Sequence, residues 1–301
     1  MLDWLAVAAT SNTYDRNGNQ IKPGALYLVG TPIGNLEDIT LRALRVLKEA
    51  DLIACEDTRH TATLLNRYGI EKPMISYHEH NELTRAAELI VRLERGESIA
   101  LVSDAGMPGV SDPGYRLVGL AIRHGLPVVP IPGASAFLSA LVASGLPTDS
   151  FRFGGFLPAK SGARRTTLEA IRKSSRTQVF YEAPHRILDA VRDVAEVLGA
   201  QRPIVVAREM TKIHEEFLRG SADQVLEELT RRGTVPGEIT LLIGRAHDTD
   251  RGSASTKTIA ERVQELVKDE KMEEKAALKL AAKEFGLSKS EAYRELHRTK
   301  P

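Results

Sequence analysis

Between Ala25 and Ser144 the chain repeats one unit: a short apolar run, a turn rich in glycine or charge, then an apolar-periodic stretch. The runs are Ala25–Val29, Leu52–Cys55, Met74–Tyr77, Ile99–Val102 and Pro127–Ile131. Four or five apolar residues without polar alternation read as strands covered on both faces. The stretches between them read as helices: one through Ala50, one to Tyr68 with Gly69 as its stop, then Glu82–Glu94, Tyr115–His124 before Gly125, and one to Ser144. In the first helix Asp38 and Thr40 are the N-cap candidates, and Leu41, Leu44 and Leu47 are expected on one face. Strand alternating with helix predicts the α/β class with a parallel sheet.

Open sheets of this kind hold ligands beyond the carboxyl ends of their strands. Loops with glycine stand there at Gly30–Leu36, Ser103–Gly114 and Pro132–Ala136. The longest, Ser103-Asp104-Ala105-Gly106-Met107-Pro108-Gly109-Val110-Ser111-Asp112-Pro113-Gly114, organises the rest. Its glycines let backbone approach a ligand closely. Asp104, just past a strand, is an acceptor for ribose hydroxyls or a cation; the plainer reading makes Asp104 and Asp112 caps. None of the loops matches G-x-G-x-x-G or G-x-x-x-x-G-K-[ST], so neither the dinucleotide fingerprint nor the P-loop is expected. Several such loops on one sheet edge point to a nucleotide-like ligand.

Near Gly145–Ser150 the rhythm changes. Phe151–Phe156 alternates like a half-exposed strand, a basic helix follows, and then come strand Gln178–Tyr181, helix Ile187–Leu198, strand Ile204–Ala207, helix Ala222–Arg232 and strand Glu238–Ile243. A second α/β domain with a mixed sheet is expected. The expected organisation is a disordered leader at 1–24, domains at 25–147 and 148–246, a linker at 247–256 and a helical unit at 257–301. In that last unit Ser288 with Glu291 three residues on reads as a capping box.

Charge narrows the function classes. Lys+Arg number 41 against 40 Asp+Glu, so net charge carries no argument for nucleic acid. The terminal helices are also balanced, with 11 basic and 9 acidic residues from Lys257 to Lys300. A local excess does exist: Lys160, Arg164, Arg165, Arg172, Lys173 and Arg176 stand against Glu169 alone. This run is a candidate phosphate track or a solvated helix face. Phe151, Phe153 and Phe156 just before it are either base-stacking groups or core. Charge clusters also follow three strands, at Glu56–His60, Glu182–Arg186 and Arg208–Glu216, and read as a polar site or as salt-bridged caps. No metal is expected, because His78 and His80 lack a third ligand at useful spacing. The single Cys55 fits a reducing cytoplasm, and no apolar run reaches the roughly 18 residues of a membrane span.

Taken together, Leu28–Leu36, Cys55–Thr61, Ser103–Gly109, Pro132–Ser135, Tyr181-Glu182-Ala183-Pro184-His185-Arg186 and Arg208-Glu209-Met210-Thr211-Lys212 resemble the ribosomal RNA small-subunit methyltransferase I family, a branch of the class III tetrapyrrole methylases. The resemblance runs from about Ala25 to Arg245, and the last ~45 residues resemble the family's helix-turn-helix-like appendage. It implies two α/β domains with a cofactor cleft between them, S-adenosylmethionine as methyl donor, and a homodimer. It implies 2′-O-methylation of a cytidine ribose in the decoding region of small-subunit ribosomal RNA, free or within the 30S particle. By the same likeness, cofactor contacts are expected from Ile33, Gly34, Asp104, Gly106, Met107, Ser135 and Ala136, with Tyr181, Met210 and Thr240 closing from the second domain. The usual Gly-Asp-Pro of the class reads Ser103-Asp104-Ala105 here.

A ribose hydroxyl is a poor nucleophile, so a positioned base is expected among Glu182, His185, Glu209 and Asp57. Lys212, Arg59 and Arg186 are candidates for holding phosphate or steadying the ionising hydroxyl, beside Lys160, Arg164 and Arg165 of the basic run. A corrin or porphyrin methylase is the nearest rival reading, and would want an open apolar cleft. A non-catalytic nucleic-acid binder would not need the glycine loops.

Overall fold

The computed structural model describes residues 21–246, 259–268, 272–285 and 287–298. The expected linker at 247–256, and all of the leader before residue 21, lie outside them. The chain divides into two compact units, 1–246 and 247–301.

In the first unit, strands β1 (Leu26–Val29), β2 (Leu52–Cys55), β3 (Met74–Ser76), β4 (Ile99–Val102) and β5 (Val128–Ile131) form one sheet in the order β3-β2-β4-β1-β5. Every pairing is parallel. Both faces are covered, as uniformly apolar strands require. Tyr27, Val29, Ile53 and Val102 face Val46, Leu47, Leu64 and Leu65 of helices α1 (Leu41–Glu49) and α2 (Thr58–Arg67). Leu26, Leu52, Ala54 and Leu101 face Leu89, Leu93 and Leu117 of α3 (Glu82–Glu94) and α4 (Tyr115–Arg123).

Helix α1 decides between the two cap candidates and corrects the expected face. Thr40 is its cap, accepting from the Ala43 N–H, while Asp38 sits in a preceding 3-10 turn, Leu36–Asp38. Its buried face is Ala43, Val46 and Leu47, and Leu41 is 86 % exposed. Leucines spaced three apart slip about 60° per step around a helix of 3.6 residues per turn, so Leu41 ends opposite the face that Leu47 helps to bury.

The second sheet runs β6 (Phe151–Phe156), β7 (Thr177–Glu182), β10 (Ile239–Ile243), β8 (Pro203–Arg208), β9 (Glu216–Ser221). It is mixed: β6 lies parallel to β7, and the other pairings are antiparallel. Strand β9 was not expected. Its sequence, Glu-Phe-Leu-Arg-Gly-Ser, sets Phe217 beside Leu218 and so breaks the alternation. It is an edge strand paired only with β8. Helices α6 (Ser161–Ile171), α7 (Ile187–Leu198) and α8 (Ala222–Arg232) cover one face with Leu168, Ile187, Val191, Val194 and Leu229. The other face, through Val179, Val205, Ala207 and Leu242, receives Ile33 and helix α5 (Ala136–Ser144). That contact locks the two sheets together. It buries Ala140 and Leu141 of α5 and packs Ala136 and Phe137, while Leu138 and Val142 on the same helix stay exposed.

The basic run is also corrected. Arg164 is 3 % exposed, and its guanidinium pairs with Asp193 of α7 at 2.7 Å. Arg165 reaches Asp193 at 3.1 Å and also pairs with Glu196, and Arg172 pairs with Glu169. Arg164 faces inward and Arg165 lies against the neighbouring helix, so neither is a free phosphate contact. The acids that neutralise them lie about thirty residues away, which a local charge count does not see.

The second unit has its own core. Helices α9 (Ile259–Lys268), α10 (Glu274–Glu284) and α11 (Lys289–Arg298) bury Val263, Leu266, Ala277, Leu278, Ala281, Ala292 and Leu296. Before α11 the Ser288 N–H donates to Glu291 Oε2 at 2.8 Å, and the Glu291 N–H returns to Ser288 Oγ at 3.3 Å, the reciprocal capping box. Among the described residues no helix is long and apolar enough to cross a membrane, and no group of His, Cys, Asp and Glu is arranged to hold a metal ion.

Candidate active site

Strand order places the glycine loops together. β4, β1 and β5 are neighbours, so the loops that follow them leave one edge of the sheet side by side. They are bonded to each other. The Thr31 N–H donates to Gly106 O at 2.9 Å, the Gly106 N–H returns to Thr31 O at 3.1 Å, and Thr31 Oγ1 donates to Ser103 O at 3.1 Å. Gly30 and Gly133 touch backbone to backbone. A Cβ on Gly30 would lie 2.8 Å from Gly133 Cα and 2.7 Å from Met107 Sδ.

Facing these loops are the ends of β7 and β8 and the start of β10. The cleft between has a volume of about 840 Å³. Its first wall includes Ile33, Gly106, Met107, Ser111, Asp112, Gly133, Ser135 and Ala136. The opposite wall includes Tyr181, Glu182, Glu209, Met210, Lys212, Glu238 and Thr240. Phe137 stacks on Phe153 with ring centres 4.4 Å apart, and Phe153 and Phe156 meet Tyr181 edge-on. The phenylalanines considered for base stacking are thus tied into an aromatic cluster, from which Phe156 also reaches the cleft. Burial, then the nearby Asp112 and Glu238 charges, push the Tyr181 phenol up, so it stays neutral.

The charged side chains on the second wall are held firmly. Glu182, 3 % exposed, accepts through Oε1 from Arg186 at 2.6 Å and from the Ala183 N–H at 2.8 Å. Its Oε2 is buried with no hydrogen-bond partner. Glu209 Oε1 accepts from Lys212 Nζ at 2.9 Å and from the Glu238 N–H at 3.0 Å. Those two bonds hold the Glu209 carboxyl below the usual range. For Lys212, partial burial works against the ammonium, but Glu209 and Glu238 outweigh it and its pKa is raised.

Some residues expected at the site stand elsewhere. Asp104 does not border the cleft; its Oδ1 accepts from the Asp57 N–H at 3.2 Å. Gly34 lies just behind the wall, where a Cβ would meet Lys212 Cγ at 2.6 Å and Thr211 Oγ1 at 2.8 Å. His185 and Lys160 are exposed and outside the cleft, and Asp57 pairs with the exposed Arg59. The Arg59 bonds hold the Asp57 carboxyl well below the carboxylate range. Asp112, Phe137 and Glu238 border the cleft without having been singled out for it. Only Asp112 carried a sequence signal, since it lies inside the long glycine loop and was read there as a cap.

The Gly30–Gly133 contact gives a direct test. Gly30→Ala forces backbone against backbone, which rotamer changes cannot relieve, and is expected to destabilise the fold by about 1–3 kcal/mol. Pushing the two loops apart should deform the first wall enough to weaken small-ligand binding about tenfold or more, since each 1.4 kcal/mol is a factor of about ten. Thermal unfolding and equilibrium dialysis read the two effects.

Residues 25–226 match the family model of tetrapyrrole (corrin/porphyrin) methylases. The chain is 51% identical to the ribosomal RNA small subunit methyltransferase I of Halalkalibacterium halodurans, over 78% of this chain and 79% of that protein. The chain belongs to this methyltransferase family. The relative of the same name from Escherichia coli O157:H7 is 45% identical over 90% of this chain and 94% of its own. Among solved structures, uroporphyrin-III-C-methyltransferase from Thermus thermophilus aligns with a TM-score of 0.53 at 22% identity, covering 74% of this chain and 94% of that one. That likeness carries the fold: two α/β layers of the methylase type, with further helices at the carboxyl end of the present chain.

Proposed function

We propose that this chain transfers the methyl group of S-adenosylmethionine to the ribose 2′-hydroxyl of a cytidine in the decoding region of small-subunit ribosomal RNA. The observation that carries the reading is the cleft itself. Glycine loops of three adjacent strands face the 182–186 and 208–212 segments, and relatives with about half their residues in common are named for methylating small-subunit ribosomal RNA.

The donor fits the cleft on chemical grounds. Glu182 Oε2 is a buried acceptor without a donor, and the donor molecule's ribose hydroxyls and amino group are such donors. Ile33, Met107 and Ala136 give apolar surface, while Gly106 and Gly133 keep the wall close to backbone. When bound, the sulfonium supplies an electrophilic methyl carbon. The chain's own contribution is to hold the acceptor oxygen within about 3 Å of that carbon, to exclude water and to manage one proton.

The test is incubation of the full chain with donor carrying a labelled methyl group and, in parallel, 30S particles, naked small-subunit RNA and uroporphyrinogen. Mass spectrometry of nuclease digests should place one methyl group on a cytidine ribose. Labelling of the tetrapyrrole alone would overturn the reading in favour of a porphyrin methylase.

The 247–301 unit has its own core, and we assign it to engaging the RNA–protein particle. Deleting 247–301 is expected to leave a chain that unfolds cooperatively and keeps its donor affinity, while KM for 30S particles rises about tenfold, the loss of ~1.4 kcal/mol of binding. Equal KM values for the full and shortened chains would take the unit out of substrate engagement.

A further inference from the structure

Four carboxylates border the cleft: Asp112, Glu182, Glu209 and Glu238. Three are committed to cations. Glu182 is bonded to Arg186, while Glu209 and Glu238 share the Lys212 ammonium. A carboxylate spent on a cation is a poor proton acceptor, because the pairing stabilises its charged form. Asp112 is placed differently. It lies on the first wall in the glycine loop, directly after Ser111, which is held at φ 62. Only a tightly bounded turn holds a serine there, and this turn brings Ser111 and Asp112 both to the cleft. Its charged and polar neighbours are the Ser103 hydroxyl, Glu56 beyond the end of β2, Asp104 on its own loop, and the neutral Tyr181 phenol across the cleft. No cation pairs with it among the described residues.

We propose that Asp112 is the catalytic proton acceptor: its carboxylate receives the hydrogen bond of the acceptor hydroxyl and takes that proton as the oxygen is methylated. The balance is simple. The hydroxyl oxygen forms the new bond to the methyl carbon, the carbon–sulfur pair leaves on sulfur to give a neutral thioether, and the proton ends on an Asp112 oxygen. The inference rests on the reading under Proposed function and adds the residue that reading lacks. Burial, then the Glu56 and Asp104 charges, raise the Asp112 carboxyl to about 6 against the opposing Ser103 bond. A base near neutrality is a stronger acceptor than an ordinary carboxylate and is still ionised at pH 7. Below about pH 6 the group is already protonated and cannot accept, so turnover falls on the acid side.

The experiment compares wild type, Asp112→Asn and Asp112→Glu as full chains, with 30S particles as acceptor. Asp112→Asn is expected to keep donor affinity in equilibrium dialysis within about threefold, to lose about 10²–10⁴-fold in kcat, and to lose the acid limb of the pH profile. Asp112→Glu should recover part of the rate. In carbon-13 spectra of aspartate-labelled protein, a carboxyl titrating near 6 in the wild type should be missing from Asp112→Asn. The proposal is overturned if Asp112→Asn keeps kcat within about threefold, if its acid limb is unchanged, or if donor binding is lost while kcat at saturation survives. A wild type that leaves the ribose unmethylated removes the functional reading and this proposal with it. A fast Asp112→Asn removes the proposal alone.

Discussion

Replacing Asp193 by alanine is expected to cost about 3–5 kcal/mol of stability, because it strands a buried guanidinium. Arg164 is 3 % exposed and donates through Nε to Asp193 Oδ2 at 2.7 Å. Its remaining bonds are to the Ala159 and Pro158 carbonyls, at 3.2 and 3.5 Å, and carry no neutralising charge. Arg165 would also face Arg164 without the acid that now separates them. Urea denaturation should show a lower midpoint with an unchanged slope. The double substitution Arg164→Met with Asp193→Leu should recover most of the loss, since a buried ion pair stabilises little over apolar groups of similar volume. A cost under about 1 kcal/mol for Asp193→Ala would mean that water reaches the pair and that it behaves as a surface bridge.

This pair also marks where sequence reading stops. The strands of the first sheet and most helices were legible, because period and punctuation are local properties. Gly69 and Gly125 end helices at φ 60 and 69, and Ser221 starts one. Strand order was not legible, but it is what turns separate glycine loops into one wall, with β1 between β4 and β5. Charge pairing was not legible either. Arg164 meets Asp193 across two helices, so a run that looks basic in sequence is partly neutralised in space. Strand β9 escaped because an edge strand need not alternate, and its Glu216 start and Gly220-Ser221 end look like a loop. Asp112 and Asp104 show the same limit at the site. Both sit in one loop, but Asp112 borders the cleft while Asp104 accepts from the Asp57 N–H beyond β2.

Replacing Lys212 by methionine is expected to lower kcat by about 10²–10³-fold at pH 7 with donor affinity retained, the usual loss when one preorganised charge at a developing oxyanion is removed. The ammonium is fixed from several sides. Glu209 Oε1 holds it at 2.9 Å and Glu238 Oε2 at 3.2 Å. Its loop passes through Glu209 at φ 51 and Thr211 at φ 65, conformations that cost side-chain-bearing residues about 1–3 kcal/mol each. Gly237 leaves room for this, since a Cβ there would collide with the Glu209 side chain. Such strain persists only where surrounding bonds over-determine the geometry, and here they aim a cation at the cleft. With its pKa raised, Lys212 keeps its proton at neutral pH and cannot serve as the base. On the proposed function, the role expected of it is to steady negative charge on the acceptor oxygen while the proton leaves. The defect should therefore shrink as pH rises and the hydroxyl ionises unaided. Lys212→Arg, which keeps the charge but spreads it over a plane, should recover only part of the rate. Single-turnover rates on 30S particles separate this from phosphate holding, for which KM would rise while kcat stays unchanged.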